Sequence, residues 1–342
     1  MCPGSAQFLP AFGARQGPLR RGWVLPSLID WSKGRDSTRA SYTHDMRTLD
    51  RRTFIQTSVG AMGAAVLTAR PSIADSIKTV GMQLYTVRAE LEKDFDGTLA
   101  KVAAIGYKEV EFAGYFGRTP QEVKAALEKH GLSSPSAHID YPTVSDAGKW
   151  AKALDAATMI GHEYLVNAWV DEPLRNQPDF WKRAADTYNT AGRAAAAHDV
   201  QFCYHNHNFE FYPRQDAGGH LPMDLLLETC DSKLVKIEMD LCWIAAAGKD
   251  PVAYFRKYPG RFPLVHVKGL RRVPIPSADP TPIAEVLPEI TDVGHDDAID
   301  WKRIFAESKP AGIAHYLVEH DNPGDAFASL KASYEYLSRL SF

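Results

Sequence analysis

Four short stretches hold side chains whose types and spacing suit metal and proton chemistry. They are "YHNHNFE" (204–210), "EMD" (238–240), "HVK" (266–268) and "EHD" (319–321). Each ends or follows an apolar run. In an extended chain, residues two apart share a face. His205 therefore pairs with His207, Glu238 with Asp240, and His266 with Lys268. Charged groups turned into a packed interior need partners, and a bound cation compensates several carboxylates at once. Carboxylates with imidazoles make a mixed O/N donor set, suited to Mn²⁺, Zn²⁺, Co²⁺ or Mg²⁺. The expected metal site lies in this cluster of His205, His207, Glu238, Asp240, His266 and Glu319. The expected proton-transfer or substrate-contacting groups are His207, Glu210, Lys268 and Glu319. His320 and Asp321 are expected to face helices or loops.

The elements that must position these groups alternate regularly. Strand-like runs at 79–87, 107–114, 134–140, 163–169, 200–211, 234–244, 262–270 and 314–321 are each followed by a helical pattern. The second helical pattern opens on Thr119-Pro120 and closes at Gly131, a capping residue, an N-terminal proline and a C-terminal glycine. Strands alternating with helices imply a parallel sheet. Eight such units over 75–342 predict an α/β fold, a (β/α)₈ TIM barrel. No G-x-G-x-x-G follows the first strand, which disfavours a doubly wound dinucleotide fold. The barrel reading sends catalytic groups to the C-terminal ends of the strands. It adds Glu111, His138, Asn167, Trp243 and Glu238 as expected substrate contacts, with Tyr85 and Trp169 as aromatic surfaces for a sugar. The long segment 271–300, rich in Pro and Asp, leaves strand seven and is placed to cover the mouth.

Charge is distributed unevenly along the 342 residues, whose formal net charge is −3. Residues 1–74 hold ten Lys/Arg and four Asp/Glu, leaving 29 basic and 38 acidic residues for the remainder. An acidic body is a poor nucleic-acid binder, because phosphates require positive surface. Within 46–74, Arg51-Arg52 precede Thr53-Phe54-Ile55 and an apolar, Ala/Gly-rich stretch ending near Ala74. This resembles a twin-arginine export signal. The expected partner is the twin-arginine translocase and the expected location periplasmic. The apolar run from Val59 to Thr68 is about ten residues, against roughly 20 for a bilayer span, so no stable membrane insertion is expected. Residues 1–45 are Gly/Pro/Arg/Ser-rich and read as disordered or as lying upstream of a true start at Met46. The cysteines show neither a C-x-x-C nor a disulfide-dense pattern.

With "GMQLYTVR", "GYKEVEFAG", "YHNHNFEF", "EMDLCW", "HVKG" and "VEHD" in order over 79–340, the chain resembles the sugar phosphate isomerase/epimerase superfamily, the xylose-isomerase-like barrels. The resemblance implies a divalent-metal site built from Glu, Asp, His and Glu on strands five to eight. Asp240, His266 and Glu319 match the last three, whereas His205 stands where the first Glu belongs, which leaves His205, His207 or a water as the fourth ligand. It also implies isomerisation or epimerisation of an unphosphorylated sugar or keto-sugar through proton abstraction next to a carbonyl. Loss of one carboxylate leaves open a lyase or hydratase that expels the aglycone of a 3-keto-glycoside. A sugar-binding protein without catalysis is the non-enzymatic alternative.

Overall fold

A computed structural model describes residues 75–342, apart from residue 278. The export-signal reading of 46–74 and the reading of 1–45 concern residues outside that range. Eight parallel strands form the barrel: β1 Val80–Gln83, β2 Glu109–Glu111, β3 Ser136–Ile139, β4 Tyr164–Asn167, β5 Gln201–His205, β6 Val235–Asp240, β7 Leu264–Val267 and β8 His315–Val318. Their order is β2-β1-β8-β7-β6-β5-β4-β3. Bridges Glu109↔Ser133 and Phe112↔Ala137 join β2 to the β3 side. There the His138 amide donates to the Phe112 carbonyl at 2.7 Å. The expected (β/α)₈ class is the observed one.

Helices Phe95–Ile105, Pro120–His130, Ala147–Ile160, Phe180–Ala196, Pro222–Thr229, Pro251–Lys257, Trp301–Phe305 and Ala326–Leu337 surround the strands. Local chemistry sets their ends. Thr119 and Glu122 form a reciprocal capping box, Pro120 opens the helix, and Gly131 ends it at φ 64°. Asp146, Asp250 and Asp325 cap three others through their carboxylates.

Two apolar clusters hold the barrel. The larger lies between strands and helices and takes Leu165, Phe202, Tyr204, Ile237, Met239, Val265 and Val267 from the strands. The smaller, inside the barrel, is Val166, Cys203, Leu264 and Leu317, with Tyr164 against it. Gly81 faces Leu317 there: a Cβ would come within 2.8 Å of the Leu317 side chain.

Three strands stop earlier than their apolar patterns suggest. After Gln83 the chain turns into a 3₁₀ helix, because the Gln83 side chain accepts from the Tyr85 amide. After His205 it leaves the sheet and makes a 3₁₀ turn at Phe209–Phe211. After Asp240 it enters helix Leu241–Ala246, with the Asp240 carboxylate accepting from the Cys242 and Trp243 amides. The segment 271–300 contains helix Ile283–Val286 and strand Ile290–Thr291, which pairs antiparallel with Gly269–Leu270.

Candidate active site and metal centre

Barrel parity brings the ionisable groups together. On β5, β7 and β8 the interior residue changes from Cys203 to His205, from Leu264 to His266, and from Leu317 to Glu319. Glu238 and Asp240 enter from β6, Glu111 from β2 and His138 from β3. Glu111, Glu238, Asp240 and His266 are fully buried, and His205, Lys268 and Glu319 nearly so.

His266 links the carboxylates. Its Nδ1 lies 2.8 Å from Glu319 Oε2 and 3.8 Å from Asp240 Oδ2. Its Nε2 lies 2.7 Å from Glu111 Oε2 and 3.3 Å from Glu238 Oε2. His205 Nδ1 is 3.0 Å from Glu238 Oε2, and its Nε2 is 3.7 Å from Asp240 Oδ2. His138 Nε2 spans Glu111 and Glu238 at 3.0 and 2.9 Å. The Lys268 ammonium sits among Asp240, Glu319 and Asp321 at 3.1, 2.8 and 3.0 Å.

These contacts shape the ionisation. Burial works to raise Glu238, as does Glu111, but His266 and His138 outweigh both and hold it at about 2. Asp240 is pushed up to about 6 by burial, against the pull of Lys268 and His266. His205 lies well below the ordinary imidazole value through burial and the neighbouring His266. Lys268 lies well above its ordinary value: burial opposes the charge, but Asp240, Asp321 and Glu319 prevail.

Several polar atoms in this cluster lack a hydrogen-bond partner. Glu111 Oε1, Glu238 Oε1 and Asp240 Oδ2 are buried without one. Lys268 is near Asp240 Oδ2, yet not aligned on it. A buried acceptor without a donor is costly unless something else satisfies it. Asp240, His266 and Glu319 each present a ligand atom within 4.8 Å of the others. Ligands about 2.1 Å from a tetrahedral ion are about 3.4 Å apart; Asp240 Oδ2 lies 3.7 and 3.8 Å from His205 and His266, whereas His266 Nδ1 and Glu319 Oε2 are closer, at 2.8 Å, and would part to admit an ion. Asp240, His266 and Glu319 therefore fit a divalent cation, with His205 Nε2 beside Asp240 as a further donor, and His138, His205, Glu238 and His266 form a second close-set group.

Above them opens a cavity of about 450 Å³, lined by His138, His205, His207, Lys268, Glu319 and Asp321 on its polar side. Tyr85, Trp169, Trp243, Ile283 and Leu287 supply its apolar side. Ile283 and Leu287 come from the 271–300 segment, which thus reaches the mouth as expected. Tyr85 and Trp169 are each 40% exposed.

Five residues are placed differently from the sequence reading: Asn167, Glu210, Glu111, Glu238 and Asp321. Asn167 points away from the cavity: Tyr188 donates to its Oδ1 at 2.8 Å, and its Nδ2 donates to the Ile139 carbonyl at 3.0 Å. Its neighbour Val166 takes the interior position. Glu210 accepts from the Tyr204 hydroxyl and from the His207 amide, the latter at 2.9 Å, so it braces the turn after β5 rather than meeting substrate. Glu111 and Glu238 do not line the cavity; imidazoles stand over them. Asp321, expected to face helices or loops, lines the cavity and accepts from Lys268. His320 stays outside that lining, its amide donating to Thr86 Oγ1 at 3.0 Å. The signal for Asp321 was parity with Glu319.

Comparison with known proteins agrees with this architecture. An inosose dehydratase of Bacillus thuringiensis (strain Al Hakam) is 23% identical over 201 residues, covering 53% of this chain and 65% of that protein. The chain thus matches just under two thirds of that relative's length. A crystal structure of a sugar phosphate isomerase/epimerase from Parabacteroides distasonis ATCC 8503 is 26% identical. It superposes with a TM-score of 0.64 over 77% of this chain and 99% of its own. The IOLI protein, solved with a bound zinc atom, shares the fold at a TM-score of 0.58 and 13% identity, over 75% of this chain and 95% of its own. A family model described as the xylose isomerase-like TIM barrel matches residues 99–339, nearly the whole described barrel, and the chain belongs to that family.

Proposed function

We propose that the protein is a divalent-metal-dependent enzyme that removes the proton next to the carbonyl of an unphosphorylated keto-sugar or keto-polyol. In this reading the reaction ends in β-elimination. The observation that carries it is the unlike chemistry of the two cavity walls. His138, His205 and His207 stand on the β3–β5 side, and Lys268, Glu319 and Asp321 on the β7–β8 side. An epimerase needs matched proton carriers on the two faces of one carbon. An elimination needs a base on one side and a donor to the departing oxygen on the other. The inosose dehydratase relatives support the same reading.

His205, Asp240, His266 and Glu319 would hold a divalent cation, which would supply Lewis acidity and make the C–H next to a carbonyl more acidic. His207 is the base: it lines the cavity, and with Nδ1 buried and unpartnered the imidazole meets substrate through Nε2. Phe209, stacked on its ring at 5.5 Å, and Trp243 at 5.3 Å fix its orientation. Lys268 hydrogen-bonds the departing oxygen from the opposite wall. Trp243 and Trp169 exclude water and face the ring. A phosphorylated sugar is disfavoured, because Glu319 and Asp321 already engage Lys268 and, among the described residues, no arginine lines the cavity. Export through a twin-arginine signal at 46–74 belongs to the same proposal, since free sugars and glycosides are the substrates met outside the cytoplasm. Replacing Arg51-Arg52 by lysines is expected to leave the precursor inside.

The test is incubation of the Co²⁺- or Mn²⁺-loaded protein with inososes, free ketoses and 3-keto-glycosides in D₂O, followed by NMR. Loss of the α-proton with an unsaturated product or released aglycone is expected. An inverted sugar with every substituent retained identifies an epimerase instead, and no C–H exchange with any substrate overturns the enzymatic reading.

A further inference from the structure

The departure at His205 removes a negative charge from the expected ligand set, and the structure shows where a compensating one lies. A carboxylate only accepts hydrogen bonds. His205 Nδ1, 3.0 Å from Glu238 Oε2, must therefore carry the hydrogen. That leaves the Nε2 lone pair facing Asp240 Oδ2 at 3.7 Å. Two acceptors that face each other across that gap call for a cation between them. His266 on β7 differs: Glu111 Oε2 lies 2.7 Å from its Nε2 and Glu319 Oε2 lies 2.8 Å from its Nδ1, so both nitrogens carry hydrogen until a cation displaces the one on Nδ1. Glu238 and Glu111 are themselves held: His138 Nε2 contacts both, and the Gln83 amide donates to Glu111 at 2.7 Å. Neither lines the cavity, so neither is spent on substrate.

We infer that Glu238 is the positioning residue that makes His205 a metal ligand. The His205–Glu238 pair does the work of a single carboxylate, with its negative charge moved one hydrogen bond outward. Glu111 holds His266 through its Nε2 hydrogen. Carboxylate partners of metal-bound imidazoles set the ring's tautomer and raise its basicity, and losing one typically weakens metal affinity about 10–100-fold. The inference rests on the metal reading above.

The experiment is Co²⁺ titration of the full chain, with affinity read by chelator competition and ligation read from the visible spectrum. The variants are Glu238→Gln, His205→Gln and the double substitution. Wild type is expected to bind one ion. Glu238→Gln is expected to weaken binding about 10–100-fold and shift the spectrum. In the His205→Gln background, Glu238→Gln is expected to change affinity by less than about threefold, because the two residues act as one unit. Histidine ¹⁵N NMR of metal-free wild type is expected to show His205 as the Nδ1–H tautomer, a readout that stands even where a variant does not fold. Unchanged affinity in Glu238→Gln, additive effects in the double variant, an Nε2–H tautomer, or two ions per chain each overturn the inference while leaving a metal site in place. A wild type that binds no ion overturns this inference and the metal reading together.

Discussion

Two rungs of the same barrel interior, one residue pair apart, obey opposite rules. The lower rung is Cys203, Leu264 and Leu317, joined by Val166: apolar, closed and fully buried. The upper rung is His205, His266 and Glu319, joined by Glu111, Glu238 and Asp240. It is almost equally buried, yet carries charge and unpartnered oxygens. A step of roughly 7 Å along each strand separates them. The backbone hydrogen bonds and the parity are the same, so the difference lies wholly in side-chain chemistry. The lower rung makes the barrel stable. The upper rung concentrates carboxylates that histidines and Lys268 balance, with a cation completing the balance in the proposed reading. A charge pair also lies on the far side of the apolar plug, His315 with Glu109 at 2.9 Å, but there each side chain keeps some exposure and one partner suffices.

Substitutions can break that contrast. The largest effect is expected from Asp240→Asn, which keeps an acceptor for the Cys242 and Trp243 amides but removes the charge. Turnover should fall about a thousandfold, roughly 4 kcal/mol of barrier, with near-UV circular dichroism unchanged. Leu317→Ala on the lower rung should do the reverse. It should cost about 2–5 kcal/mol in urea unfolding, with turnover per folded molecule preserved.

Glu210 sharpens the comparison, because it is a buried carboxylate outside both rungs. Burial raises it from 4.5 to about 7, even though the Tyr204 hydroxyl bond pulls it down. Between those values the folded chain holds a proton that the unfolded chain has released. Stability therefore falls as pH rises from 4.5 to 7, by roughly 3 kcal/mol. Glu210→Gln is expected to flatten this loss, read as the difference between wild-type and variant Tm at pH 5 and pH 7.5.

How much of this was legible in the sequence follows from the same contrast. Strand and helix order showed in the alternation of apolar runs, and the convergence of Asp240, His266 and Glu319 followed from strand ends. Asn167 could not be placed, because "YLVNAW" is apolar on both sides, as buried parallel strands are, and so gives no parity. Glu210 was counted with the end of strand five, but the chain leaves the extended conformation after His205 and a 3₁₀ turn carries Glu210 to the Tyr204 hydroxyl. Glu111 and Glu238 have the right parity. Their depth, one layer below the cavity surface, depends on barrel stagger, which a linear pattern does not encode.

Two smaller effects test the rims. Trp169→Ala, at the mouth, should raise KM about tenfold, roughly 1.4 kcal/mol of binding, with kcat nearly unchanged. Disrupting the far-side pair with His315→Gln should cost about 1 kcal/mol or less and leave turnover untouched.

The most direct test is anomalous diffraction from crystals soaked in Co²⁺ or Zn²⁺. The account predicts one strong peak about 2.0–2.2 Å from His205 Nε2, Asp240 Oδ2, His266 Nδ1 and Glu319 Oε2. No peak, or a peak that leaves Asp240 and His266 without contact, contradicts it.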